Sequence, residues 1–89
     1  MIIPDRRLIK VTDGGTDGMA NITEVDVSSA VDGQEVILVN VGNNPVEIMS
    51  GVSVKLNLNN NYSMPAGGLL HLIYVDALGQ WMELSRSQP

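Results

Sequence analysis

The sequence predicts an all-β protein built from short antiparallel strands, and three observations support this prediction. Apolar and polar residues alternate along the chain, most strictly over 52–59, where four apolar residues alternate with four polar ones. This period of two is that of a half-buried strand. Gly, Asn and Pro interrupt the chain about every ten residues, and sustained helical periodicity is missing. Short strands at this spacing predict a small sandwich or prism.

The first half of the chain contains several candidate strands. Short apolar runs predict strands over 7–11 and 22–27, separated by a Gly-rich loop. The run at 35–41 is almost continuously apolar, which is typical of a strand covered on both faces. A turn containing Gly, Asn and Pro at 42–45 then predicts a hairpin with a strand at 46–49.

The second half contains the clearest signals. The alternating strand at 52–59 is followed by a second predicted hairpin, which joins 69–75 to 80–85 through a turn at 76–79. We expect the inward-facing apolar side chains of these strands to form both the core and a trimer interface. The candidates are Val36, Leu38, Val52, Val54, Leu56, Leu58, Leu70, Leu72 and Tyr74.

The small size of the chain predicts association. A chain of 89 residues buries only about 60% of its unfolded surface and is marginally stable alone. Small domains compensate with disulfides, metals or oligomerisation. The sequence has no Cys and one His, and it has no Phe, one Trp and two Tyr, so its core is mostly aliphatic. Homo-oligomerisation is therefore the expected compensation.

The charge pattern argues against nucleic-acid binding. The net charge is −5, and seven acidic residues but no Lys or Arg lie between residues 11 and 54. Such a surface repels phosphate backbones. The first residues do not form a signal peptide, and no apolar run approaches the ~20 residues of a membrane span. We expect synthesis in the cytoplasm without an export signal, and no membrane insertion.

The chain from residue 31 to residue 89 resembles a known family. Its marks are Asp-Gly-Gln-Glu-Val at 32–36, Ala-Gly-Gly before an apolar strand at 66–74, and Trp-Met-Glu-Leu-Ser-Arg-Ser at 81–87. This pattern resembles the short β-modules of bacteriophage tail spikes, tail fibres, tail needles and head fibres. The resemblance implies an intertwined homotrimer wound about one axis. It leaves 1–30 as an N-terminal segment, expected to be an attachment arm with short strands.

The resemblance implies a structural role in the virion. We expect the protein to form or cap a trimeric fibre, spike or capsid projection, to contact other virion proteins, and to touch the host surface. Two alternatives stay open: a capsid decoration protein, and a carbohydrate-binding tip that recognises a receptor. The candidate glycan contacts are Trp81, Tyr62, Asn59 and Asn60, although Trp81 inside a recurring module favours packing over sugar stacking.

The sequence does not predict an enzyme, a metal site or a cofactor. His71, the single His, lies in an apolar strand on the opposite face from Leu70 and Leu72, and nothing places a nucleophile beside it. Glu24 and Asp26 share one strand face but lack an aromatic sugar platform. The loop at 12–18 fails the EF-hand calcium pattern. We therefore expect His71 to be structural.

Overall fold

The computed structural model describes residues 2–12, 21–22, 25–51 and 53–87. Its described part contains strands, turns and one short 3-10 turn, but no α-helix, so the all-β prediction is confirmed. The strands are β1 (Leu8–Val11), β2 (Asn21–Ile22), β3 (Glu35–Asn40), β4 (Val46–Ile48), β5 (Val54–Lys55), β6 (Tyr62–Met64), β7 (Leu69–Val75) and β8 (Gln80–Ser87); the 3-10 turn is Asn57–Asn59.

The strands form two sheets, and both are mixed. The larger has the order β1-β3-β7-β8-β5, and the smaller has the order β2-β4-β6. Three pairs are antiparallel, namely β3–β7, β7–β8 and β4–β6. The other three, β1–β3, β2–β4 and β5–β8, are parallel. The prediction that all strands pair antiparallel is thus wrong for these pairs. Between the two strands of each pair the chain contributes a strand to the other sheet, and the second strand then runs in the same direction as the first.

One predicted hairpin is confirmed and the other is wrong. β7 and β8 pair antiparallel, with Val75 opposite Gln80 across the predicted turn. β3 and β4 do not pair, since they belong to different sheets. The buried Asn40 directs the chain between them: its Nδ2 donates to the Asn44 and Met64 carbonyls at 2.9 and 3.0 Å, and its Oδ1 accepts from Gly42 N–H.

A single core joins both sheets and includes the N-terminal segment. Ile9 and Val11 of β1, together with Ile2, Ile22 and Val25, are buried in the same apolar cluster as the rest of the chain. The described residues of 1–30, expected to be an attachment arm, are therefore packed into the body of the protein. No break in the described core falls at residue 30.

Most of the predicted core residues are buried within one chain. These are Val36, Leu38, Val54, Leu56, Leu70, Leu72 and Tyr74; Val52 lies outside the described residues. Because their side chains already fill the core of a single chain, they are not free to form the interface of a trimer. Any interface between copies has to use other surfaces.

Leu58 departs from the prediction. The alternating pattern predicts that it faces inward on a strand, but β5 ends at Lys55 and Leu58 is 81% exposed. The chain turns at Asn57–Asn59, where Leu58 and Asn59 both have φ of 59°. Asparagine tolerates this left-handed conformation, so the asparagine-rich segment turns instead of extending the strand.

The residues that carry the resemblance hold β3 and β7 together at both ends. At one end Gly33 N–H donates to the Tyr74 carbonyl at 2.9 Å, and Tyr74 N–H donates to the Gln34 carbonyl at 2.8 Å. At the other end Gly67 N–H donates to the Asn40 carbonyl, and Asn40 N–H donates to the Gly68 carbonyl. These hydrogen bonds fix the register of the two central strands.

Candidate association surface

The larger sheet has one face in the core and one face turned away from it. Buried and less buried residues alternate along β1, β3 and β7, and the less buried ones are aligned across the strands. Leu8 is opposite Ile37, which is opposite His71; Lys10, Val39 and Leu69 form the next row. The outer face, as we call it, consists of Leu8, Lys10, Glu35, Ile37, Val39, Lys55, Leu69, His71, Ile73, Val75, Gln80, Met82, Ser85 and Ser87.

Half of the residues on the outer face are apolar. Seven of its residues are aliphatic or Met, and Leu8 and Leu69 are 46% and 36% exposed. This composition accounts for the continuous apolar run of β3, whose Ile37 and Val39 point outward while Val36 and Leu38 point into the core. The run indicated a strand covered on both faces. The core covers one, and the other carries the side chains expected of a contact surface.

Charges on the outer face are few and differ from those of the whole chain. Glu35 is its one acidic residue, and the Glu35 Oε1 lies 2.6 Å from His71 Nε2 and 3.9 Å from Arg7 Nη2. Lys10 and Lys55 lie on the two edge strands of the sheet. The chain as a whole has a net charge of −5. Outer faces can therefore approach one another without the repulsion expected between acidic surfaces.

His71 lies on the outer face beside Glu35. Its ring is partly buried on the outer face and bonded to Glu35. Within the described ranges, no group of three or more His, Asp or Glu side chains could hold a metal ion. Glu24 and most of the Gly-rich loop, residues 13–18, lie outside the described residues.

The aromatic residues proposed for glycan contact are buried. Trp81 is 0% exposed, and its Nε1–H donates to the Asp26 carbonyl at 3.1 Å. Its ring meets Tyr74 edge to face, with ring centroids 5.3 Å apart. Tyr62 is 2% exposed. Neither ring can stack on a sugar in this conformation, because each is used for packing. Asn59 and Asn60 are exposed, so the candidate site keeps its amides but has no stacking platform.

The segment Trp-Met-Glu-Leu-Ser-Arg-Ser at 81–87, which we call the closing motif, forms a cluster of side chains that the sequence did not predict. The Arg86 guanidinium lies 4.0 Å from the Tyr62 ring centroid and donates to both carboxylate oxygens of Glu83 at 2.6 and 2.7 Å. Glu83 Oε1 also accepts from Asn57 N–H at 2.9 Å. The Arg86 hydrogen bonds lower the pKa of Glu83, and the same bonds raise the pKa of Arg86.

This cluster covers Tyr62 and ties β8 to the Asn57–Asn59 turn. The signal for it was the spacing of Glu83 and Arg86, which are three residues apart in the closing motif. On a strand with regular alternation that spacing would place the two on opposite faces. A register shift in β8, opposite His71 and Leu72, brings them to the same side.

Comparison with protein-family models, curated proteins and solved structures finds no match to this chain. In the described part of the chain, no helix is long and apolar enough to cross a membrane.

Proposed function

We propose that this chain is a structural virion protein, a building block of a homotrimeric fibre, spike or capsid projection that works through association and not through catalysis. The observation that carries the proposal is the apolar outer face of the five-stranded sheet. The resemblance of residues 31–89 to phage β-modules supplies the virion context. The residues of that resemblance fix the register of β3 and β7, two of the strands that display the outer face.

In the proposed trimer, three outer faces surround a common axis as the sides of a prism. Seven side chains of each outer face are aliphatic or Met, and each keeps some exposed area in the single chain. Burial of that area between copies is the favourable contribution to the proposed association, and it has to exceed the translational and rotational freedom lost in each binding event.

The His71–Glu35 pair supports the same arrangement. An isolated carboxylate would be costly to bury between copies, whereas Glu35 already has His71 and Arg7 beside it. The two lysines lie on the edge strands. The outer face thus combines apolar side chains with an acid–base pair on its inner strands and with lysines at its edges.

Capsid decoration is the second candidate function, and the same outer face favours it. A decoration protein at a three-fold position would use the same trimer, so the two roles differ in location and not in structure. The carbohydrate-binding alternative has less support because Trp81 and Tyr62 are buried.

The mass in solution tests the proposal. Light scattering on a dilution series should give about three times the 9.6 kDa of one chain. Ile73→Thr and Ile37→Thr together should shift the mass toward the monomer, because Thr keeps the strand propensity but removes apolar area. Val31→Thr is the matched control, since Val31 is 67% exposed outside the sheet. A monomer at every concentration would refute the proposal.

Labelling of purified virions tests the biological context. Antibodies against the chain should decorate particles of the phage that encodes it, at a tail or head projection for a fibre and across the shell for a decoration protein. Particles that carry neither the protein nor the label would refute the virion role even if the trimer were real.

A further inference from the structure

Leu58 occupies an unusual position for a leucine. It is 81% exposed and has a left-handed backbone with φ of 59°, followed by Asn59 with the same φ. Within the described residues, these are the two positions other than glycine with positive φ. A leucine is disfavoured there both by its backbone and by its exposure to water. Such outliers persist where surrounding structure holds them, and they mark candidate functional positions.

The turn that presents Leu58 is braced on several sides. Asn57 N–H donates to Glu83 Oε1 at 2.9 Å, and Asn60 N–H donates to the Asn57 carbonyl. Ser50 N–H donates to Asn61 Oδ1, and the adjoining Leu56 is buried in the core. The apolar side chain therefore stands on a defined support, and a preorganised contact loses less entropy on binding.

A pocket with apolar and charged lining lies at β1, one of the two edge strands of the larger sheet. The N-terminal pocket has a volume of about 390 Å³ and is lined by Ile2, Ile3, Asp5, Arg6, Leu8, Ile9 and Lys10. Leu8 and Ile9 point to opposite faces of β1, so a pocket that touches both lies along the strand edge. Its apolar lining includes Ile3, which is 52% exposed.

We propose that Leu58 of one chain inserts into the N-terminal pocket of the next copy. The proposal rests on the proposed function, because it adds a second contact to the same trimer. The turn with Leu58 directly follows β5, and β1 and β5 are the two edges of the larger sheet. They are four strand spacings apart, about 19 Å. A contact from one edge to the other is head to tail, and such contacts close into a three-membered ring when each copy is rotated by a third of a turn from the last.

The charge distribution favours a second copy as the occupant. Arg6, Arg7 and Lys10 are three of the five basic residues of the chain, while its net charge is −5. The pocket itself is lined by Arg6, Lys10 and Asp5, which lies 3.6 Å from Arg6 Nε. Its excess of one positive charge favours the approach of another copy, whose net charge is negative. The turn itself carries asparagines beside Leu58, and their amide oxygens can accept hydrogen bonds from Arg6 and Lys10.

A single substitution separates a contact role from a folding role. Leu58→Asn suits the left-handed backbone, so the urea midpoint of the isolated chain should stay equal or rise. Association should weaken by about tenfold to a hundredfold, the value of one leucine removed from an interface. Leu78→Asn is the matched control, because Leu78 is also an exposed turn leucine, at 57%. Equal association of wild type, Leu58→Asn and Leu78→Asn would overturn the inference.

Cysteine cross-linking tests which surfaces meet. The chain has no Cys, so the pair Leu58→Cys and Ile3→Cys introduces the only thiols. A disulfide requires Cα atoms within about 7 Å. Oxidation should link up to three chains on a non-reducing gel. Chains that remain single, or an equal ladder from Leu78→Cys with Ile3→Cys, would overturn the inference.

The two proposals can fail separately. If the wild-type protein is a trimer that Ile73→Thr with Ile37→Thr dissociates, and Leu58→Asn has no effect, the outer-face proposal stands and the Leu58 contact is wrong. If the wild-type protein is a monomer, both are wrong.

Discussion

Replacing Asn40 by Ala should strongly destabilise the protein. Asn40 is 1% exposed, and its amide makes three hydrogen bonds, to the Asn44 and Met64 carbonyls and from Gly42 N–H. Alanine leaves these backbone groups without that partner at the point where the chain passes from one sheet to the other. Each buried polar group that loses its partner costs about 1–3 kcal/mol. The bond to the Met64 carbonyl is buried and the other two are partly buried, so we expect a loss of about 3–6 kcal/mol.

A loss of this size is a large part of the ~5–15 kcal/mol by which small proteins are stable. Urea unfolding can be followed by the fluorescence of Trp81, which is the only Trp and is fully buried. With a slope near 1 kcal/mol per molar urea, the midpoint should fall by about 3 M or more. All samples need the same protein concentration, because association shifts apparent stability.

Asn43→Ala is the matched control, since Asn43 lies in the same connection and is exposed. It should change the unfolding free energy by less than about 0.5 kcal/mol. If Asn40→Ala unfolds at the same urea concentration as Asn43→Ala, the reasoning that Asn40 fixes the connection between the sheets is refuted.

Two further predictions concern the turn before β7 and the closing motif. Gly68→Ala should destabilise by about 1–3 kcal/mol in thermal unfolding, because its Cβ would lie 2.9 Å from Met64 Cγ and the Pro65 carbonyl; Gly51→Ala, with open space around its Cβ, should not. The pKa of Glu83 is lowered below 4.5 by Arg86, so the stability from this pair is present above that pH and lost as the pH falls through the lowered value. In Glu83→Gln, the urea midpoint should therefore fall less than in the wild type when the pH is lowered into the acid range. An equal fall in both proteins would contradict the claim that the Glu83–Arg86 pair contributes this stability.

Local patterns in the sequence were sufficient for most of the strands, although β6 (Tyr62–Met64) was not among the predicted ones. The alternation of apolar and polar residues, and the position of Gly and Asn between them, predicted the β7–β8 hairpin and the inward side chains of β3 and β7. Strand geometry has a period of two in any strand, so this information is contained in neighbouring residues. The same rule failed at Leu58, because an alternating pattern does not exclude a turn built from asparagines.

The candidate site could be predicted only in part. The apolar run of β3 indicated two covered faces, which was the signal for the outer face, but which residues share that face depends on pairing with β1, β7 and β8. Burial of Trp81 likewise depends on a contact with Asp26, which is distant from it in the sequence. Burial of Tyr62 depends on Arg86, whose position follows from the irregular pairing of β8. No spacing rule connects such residues.

The sequence by itself determined the all-β class, the positions of most strands, an aliphatic core and the acidic character, because these follow from composition and from contacts between near neighbours. Only the tertiary structure decided three features of the described residues: half of their strand pairs are parallel, those near the N-terminus belong to the core, and Leu58 lies on the surface. These features depend on where the chain goes between strands. The free energy that favours one path of the chain over another comes from many contacts between residues far apart in the sequence, and these contacts cannot be predicted from a local pattern.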